Sequence, residues 1–274
     1  MDRNPQAEQM AHESMLRNLA AQAQIIWPQE APLFARYGLR EGARIADIGC
    51  GSGEITVRLA EAYESATLVG VDILEAPLEH ARRRAAGFGA RIEFLQGDAF
   101  HLPFGDGEFD LVVCRHVTQA VPAPASVLAE LKRVAKRGGW LHVLSEDYRM
   151  LHFPHSEGDG ARDPDRLWTD GVAALARATH TDERVGRITW ALLRALGLTD
   201  LRVDYAIVDT LRVPRATFAA VITAWRDGYA KAIAEHSRLS LGELRALFDC
   251  AIAAIHDESQ YAVWHVPIIS GQKA

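Results

Sequence analysis

The sequence predicts an α/β protein. Its core is a mostly parallel, doubly wound, seven-stranded sheet, with helices at the N-terminus and a helical cap inserted before the last strand. Three observations carry the prediction. From Ala43 onward, short apolar runs of strand length alternate with stretches of helical period, the pattern of strand–helix–strand units. The first run, residues 44–48, stops against Gly49, Gly51 and Gly53, and a helical pattern starts directly behind them. Single carboxylates, Asp72 and Asp98, then follow the second and third strands, at the strand ends where such sheets bind ligands.

Composition bounds the rest. A length of 274 residues suits one large α/β domain, with or without a cap, and 49% hydrophobic content supplies a substantial core. The net charge of -6 with no basic block argues against nucleic-acid binding through phosphate neutralisation. No apolar run approaches the ~20 residues of a membrane helix. The opening residues lack the charged-then-apolar form of a signal peptide, so the expected location is cytoplasmic. Cys50, Cys114 and Cys250 are scattered in apolar surroundings and form neither a zinc pattern nor a disulfide framework; no metal is expected.

Residues 8–37 read as helical and as broken near Pro28. Leu16, Leu19, Ala20, Ala23, Ile26 and Trp27 recur at helical spacing, and Pro28 and Pro32 suit the first turn of a second short helix. The pair Tyr37-Gly38 supplies a glycine cap. Strands follow at 44–48, 67–71, 91–95, 109–114 and 139–145, separated by helical stretches at 53–64, 75–87 and 124–136. The glycine turn after the first strand has the spacing G-x-G-x-G. It is neither the dinucleotide G-x-G-x-x-G nor a triphosphate loop ending in G-K-[ST]. Asp47, two residues before the first glycine, would repel a pyrophosphate and suits a cationic ligand.

On these residues the stretch 44–56 resembles the first motif of the class I S-adenosylmethionine (SAM)-dependent methyltransferases, with their Rossmann-like fold. The run 98–110, DAFHLPFGDGEFD, resembles the ubiquinone-biosynthesis type of small-molecule methyltransferase. The resemblance implies cofactor contacts from Asp47, Gly49, Cys50, Gly51 and Gly53, then from Asp72 and Ile73. It adds Asp98 and Ala99 at the adenine, and Arg115 and Val117 beside the fourth strand. Asp72 lies about twenty residues after the glycine turn, the interval of a ribose-binding acid; alone it also reads as an N-cap for 75–87.

The resemblance also places the transferred methyl near the ends of the fourth and fifth strands. His116, Glu146 and Tyr148 are the catalytic candidates there, His116 as a general base at neutral pH and Glu146 as a proton acceptor or amine contact. Arg115 reads equally as a partner for a substrate carboxylate or for an internal acid such as Glu146. Substrate-binding candidates are Gln24 and Trp27 on the N-terminal helix, Gln119, Asp147 and His152 at the strand ends, and Trp168 on the helix that follows a loop over 154–164. The pair His152 and His155 lacks a third ligand for a metal. A helix at 183–196 leads to strands at 200–208 and 259–269, with two helices inserted at 214–257. The expected organisation is an N-terminal helical segment (1–40), a SAM-binding domain (41–213 and 258–274) and the helical insertion as cap or dimer contact.

The function implied is methyl transfer from SAM to an N or O nucleophile of a small-molecule acceptor, releasing S-adenosylhomocysteine. The partners expected are that acceptor alone, without nucleic acid or membrane, in a monomer or homodimer. The rival readings are a protein or RNA methyltransferase, a SAM-binding biosynthetic enzyme whose chemistry is not methyl transfer, or a non-catalytic SAM-binding or structural protein.

Overall fold

The computed structural model describes residues 4–154, 160 and 163–274. Five parallel strands form the core: β1 (Arg44–Ile48), β2 (Thr67–Asp72), β3 (Ile92–Gln96), β4 (Phe109–Arg115) and β5 (Ala135–Leu144). Their spatial order is β3-β2-β1-β4-β5. The winding therefore reverses between β1 and β4, and the crevice outside their carboxyl ends is the place where such sheets bind ligands. On the far side of β5 lies β8 (Val263–Lys273), antiparallel to it, and β7 (Leu198–Asp209) pairs with the other edge of β8.

The two faces of the sheet follow the two-residue period of a strand. Ile45, Leu111 and Val113 pack beneath α3 (Glu54–Ala62) and α4 (Glu75–Arg84). Ala46, Ile48, Val112 and Cys114 pack on the opposite face, with α5 (Pro124–Val134) and α7 (Gly186–Ala195). An eighth strand, β6 (Leu151–His152), pairs with Val263 and Trp264 of β8. Two residues are too few to show a strand period, so the expected seven strands become eight among the described residues. The fifth strand begins at Ala135, four residues before its expected start, and changes register against β4 between Phe109 and Leu111. The last strand begins at Val263 rather than 259.

The expected break at Pro28 is corrected. After a short α1 (Ala7–Met10), a single helix α2 runs from Glu13 to Phe34, with Pro28 and Pro32 inside it. Each proline removes one helical N–H donor. Side chains on the same turns tie the helix to the sheet. Gln29 donates to Ile207 O at 2.9 Å and accepts from Ile207 N at 3.0 Å, capping the edge of β7. The wholly buried Glu30 reaches across to β4 and β5: its Oε1 accepts from Arg115 Nε and from His142 Nε2, both at 2.9 Å. His142 Nδ1 in turn accepts from the Tyr37 hydroxyl at 2.6 Å. Gly38 then takes the left-handed conformation, φ 56°, as a glycine cap requires.

The helices α8 (Arg215–His236) and α9 (Leu241–His256) pack inward. With α2, β7 and β8 they form one apolar cluster that includes Ile25, Ile26, Phe218, Trp225, Phe248 and Trp264. A π-helical turn, Leu167–Val172, runs directly into α6 (Ala173–Thr179) and joins the same cluster. Residues 155–159, 161 and 162, most of the expected loop and with it His155, lie outside the described residues. Among the described residues, no helix is long and apolar enough to cross a membrane.

Burial alone would raise the Glu30 carboxyl. The Arg115 charge and the His142 hydrogen bond outweigh it and hold the group down at about 2. A carboxyl depressed in the folded state contributes stability that is complete above its unfolded value, about 4.5, and is lost as pH falls toward 2. Glu30→Ala leaves Arg115 and His142 buried without their counter-charge. It should cost about 3–5 kcal/mol in urea unfolding at pH 7, with the difference from wild type shrinking as the pH falls below 4.

Candidate active site

The turn after β1 is shaped by its three glycines. All take positive φ: 72° at Gly49, 52° at Gly51 and 73° at Gly53. A Cβ at Gly49 would fall 2.2 Å from Val117 Cγ2, so the backbone of the turn and the β4 end approach closely. The amides of Gly49 and Cys50 bond Val71 O at 2.7 and 3.0 Å, which locks the turn onto β2. Beside it opens a cleft of about 860 Å³, bordered by Gly49, Gly51, Asp72, Ile73, Asp98, Ala99, Arg115, His116 and Val117 among others. Most residues expected at a cofactor are thus brought to one cavity.

Asp72 is on the wall of this cleft. Its Oδ2 accepts from Gly51 N at 2.8 Å and its Oδ1 from Leu74 N at 2.9 Å. Each oxygen keeps a second lone pair for a diol. Burial raises the Asp72 carboxyl, against the pull of these amides. The N-cap reading of Asp72 is not realised: Leu74 is the N-cap of α4, and no side chain caps that helix.

A polar recess of about 350 Å³ adjoins the cleft, with Asp47, Cys50, Ser52, Gln22 and Arg115 on its walls. Asp47 is buried and accepts from the Thr56 hydroxyl at 2.6 Å. Burial pushes its carboxyl up to about 6 despite that bond, while the buried Cys50 thiol is raised well above its usual range. Arg115 Nη2 and Ser52 Oγ are buried here without a partner. A carboxylate on one side and unpartnered donors on the other suit a ligand end carrying both an ammonium and a carboxylate, such as the methionyl part of SAM. The pairing of Arg115 with Glu146 is not realised, because Glu30 takes that place.

Glu146 pairs instead with His116. His116 Nδ1 lies 2.5 Å from Glu146 Oε1, with both side chains largely buried. With the proton on Nδ1 donating to the carboxylate, Nε2 is left as an acceptor; it is buried and has no partner, as is Glu146 Oε2. His116 adopts φ 55°, an uncommon conformation for a residue with Cβ. Its own amide bonds Leu144 O at 3.0 Å, so the pair is fixed from both β4 and β5.

A second cavity, about 490 Å³, lies under the helical insertion. Tyr148, Trp168, Trp225 and Tyr229 wall it, with Gln119 and Glu183 at its border. Tyr148 stacks on Trp168 with ring centroids 5.7 Å apart and 8° between planes, and Trp225 stands edge-on to both. Burial raises the Tyr148 phenol well above its usual range, helped by the charge of Glu146. Gln119 is buried at the β4 end with Oε1 unpartnered.

Four expected substrate contacts fall elsewhere. Gln24 is exposed and Trp27 packs on Phe34 in the core beneath the sheet, at 5.6 Å between rings. At 100° per residue, Leu19 and Gln22 hold the face of α2 that meets the cleft, and Gln24 and Trp27 turn away from it. Asp147 is clamped by Arg187 through both oxygens, at 2.7 and 2.9 Å, and borders none of these cavities. His152 is exposed and faces a separate recess with Arg149, Arg184 and Arg187. The residues missed by sequence reasoning are Leu19, Gln22, Glu30, Glu183, Trp225 and Tyr229. Only the i, i+4 spacing of Trp225 and Tyr229 was a signal, and it is the same for core packing.

The fold and the glycine-turn cleft together define a SAM-binding α/β domain of the class I type. Residues 46–143 match the methyltransferase-domain family, in keeping with a class I SAM-dependent methyltransferase domain over that stretch. It is 29% identical over 198 residues to the sterol 24-C-methyltransferase erg6 of Schizosaccharomyces pombe, covering 70% of this chain and 51% of that protein. It is 39% identical over 101 residues to the demethylmenaquinone methyltransferase of Thermus thermophilus, 37% of this chain and 46% of that one. The chain spans about half the length of the curated relatives it matches. Among solved structures, a putative sarcosine dimethylglycine methyltransferase from Galdieria sulphuraria superposes with a TM-score of 0.58 at 16% identity, over 89% of this chain and 83% of that one.

Gly49→Ala combines a clash at 2.2 Å with a φ of 72°. It should lower unfolding stability by about 1–3 kcal/mol without any ligand present, as read by denaturant unfolding.

Proposed function

We propose that the protein transfers the sulfonium methyl of SAM to a nitrogen or oxygen nucleophile of a small molecule held in the aromatic cavity. One observation carries this reading. The β4 end contributes to both cavities, His116 and Val117 to the cofactor cleft and Gln119 to the aromatic one, with the His116–Glu146 pair between the strands. The cofactor supplies the electrophilic methyl group when bound.

The chain's own residues do the rest. Asp72 holds the ribose diol, Asp98 and the Ala99 amide the adenine, and Asp47 with Arg115 the two charges of the methionyl end. Ile73 and Val117 close apolar sides of the cleft. Gln119 and Tyr148 orient the acceptor, and Glu146 fixes the tautomer and direction of His116. His116 Nε2 takes the proton that the acceptor loses as its nucleophile attacks. The insertion, with the π-helical turn and α6, serves as a cap that keeps water from the acceptor. Alignment of the three reacting atoms supplies most of the rate.

The test is turnover with labelled SAM and metabolite extracts. His116→Gln should lower kcat by about 100-fold or more while SAM affinity stays within a few-fold of wild type. Loss of SAM affinity with kcat unchanged would contradict the assigned role. Asp72→Ala should weaken SAM binding at least tenfold, about 1.4 kcal/mol, in calorimetry; unchanged affinity would remove the ribose assignment.

Asp47 predicts a pH dependence. Its carboxyl stands at about 6 in the free protein, and a bound ammonium would lower it. Binding should therefore release protons near pH 6, and SAM affinity should rise with pH through that range and level off above 7. Calorimetry in buffers of different ionisation enthalpy reads the proton count, and Asp47→Asn should abolish the release.

A further inference from the structure

We infer that the acceptor is an organic amine, bound as its cation in the aromatic cavity before it gives up a proton. This rests on the methyl-transfer reading above and narrows it to nitrogen. Three features of the cavity point the same way.

The first is charge. Among the described residues that border the cavity, none is Lys, Arg or His, and one, Glu183, is a carboxylate. Glu183 is 9% exposed, and its nearest cation, Arg184, is 3.6 Å away and half exposed. Glu146 adds a second negative charge close enough to act on Tyr148. A carboxylate or phosphate on the ligand would find no cation among the described lining residues and would face the charge of Glu183.

The second is the wall. Two tryptophans and two tyrosines surround a mostly apolar space, and a ring face attracts a cation that has been stripped of water. Trp168, the residue shared by the stack and the edge-on pair, sits on the π-helical turn. Such turns recur at functional sites.

The third is the set of orphaned atoms. On the cavity border Gln119 Oε1 is a buried acceptor without a donor; His116 Nε2, in the tautomer set by Glu146, is another on the cofactor-cleft side, with Glu146 Oε2 beside it. Leaving such groups unmet costs free energy, so the ligand that completes the site brings N–H donors to this end. Among the described residues, Trp168 Nε1 is the one orphaned donor on the cavity wall and asks for an acceptor atom on the ligand's remainder.

The balance closes. A secondary ammonium gives one proton to His116 Nε2, leaving a neutral amine with a free lone pair. That pair forms the N–C bond as the C–S bond breaks, and its electrons return to sulfur. The product is a tertiary ammonium with S-adenosylhomocysteine, and His116 passes its proton to water. A hydroxyl acceptor would bring a single donor and no positive charge.

Two measurements on the full-length protein test this. In calorimetry with S-adenosylhomocysteine present, phenyltrimethylammonium should bind at least tenfold more tightly than its uncharged isostere tert-butylbenzene. Glu183→Gln should reduce that ratio at least threefold, and Trp168→Leu should reduce it independently. With labelled SAM, N-methylbenzylamine should gain a methyl group and benzyl alcohol and phenol should not. Equal or reversed affinities, no saturable binding of the cation, or methylation of the hydroxyl compounds instead would overturn the amine assignment. Methylation of the hydroxyl compounds would leave the methyltransferase reading intact. Failure of SAM and S-adenosylhomocysteine to bind at all would overturn that reading as well.

Discussion

The contact between Glu30 and Arg115 is the constraint on which the site depends. It joins the N-terminal helix to the end of β4, in the middle of the sheet and with neither group open to solvent. A buried ion pair returns little net stability over an apolar alternative, but losing one member is costly. Its value here is positional. Arg115 Nε is spent on Glu30, and the same guanidinium keeps Nη2 free at the polar recess beside Asp47. His142 and Tyr37 continue the chain of hydrogen bonds and fix Glu30 from behind. The N-terminal helix is thus part of the site's framework, tied to it by charge as well as by its apolar face.

The sheet and the cofactor side of the site were legible because they are local. Strand, glycine turn and helix lie within twenty residues, and each glycine answers a backbone requirement visible in the spacing. Asp72 ends β2 and Asp98 stands two residues beyond β3, so the sheet itself carries them to the cleft. The resemblance of residues 44–56 and 98–110 to the methyltransferase motifs added the assignment of ribose and adenine ends, which spacing alone leaves open.

The aromatic cavity proposed for the acceptor was legible only in part, because its parts are distant in sequence. Trp168 and Tyr148 are joined by Trp225 and Tyr229 from the insertion, whose spacing on a helix is equally that of a core stripe. Trp27 and Gln24 are expected at the substrate because N-terminal helices of the resembled family wall that site, and the helical stripe alone does not say which of its sides meets the cleft. A helix that runs through both prolines keeps one phase from Glu13 to Phe34 and presents Leu19 and Gln22 to the cleft. That continuity comes from Gln29 and Glu30 finding partners about 180 and 85 residues away, which no local pattern encodes. The pairing of His116 with Glu146 is likewise tertiary. It depends on neighbouring strand ends and on a left-handed backbone at His116, the kind of local strain that persists where surrounding contacts over-determine it.

The most direct measurement is a crystal structure of the protein with S-adenosylhomocysteine. The account expects the ribose diol on Asp72, the adenine beside Asp98 and Ala99, and the amino and carboxylate groups between Asp47 and Arg115. The sulfur should face the junction of His116 and Gln119, with the aromatic cavity open beyond it. A ligand bound elsewhere, or one whose sulfur is walled off from that cavity, would contradict it.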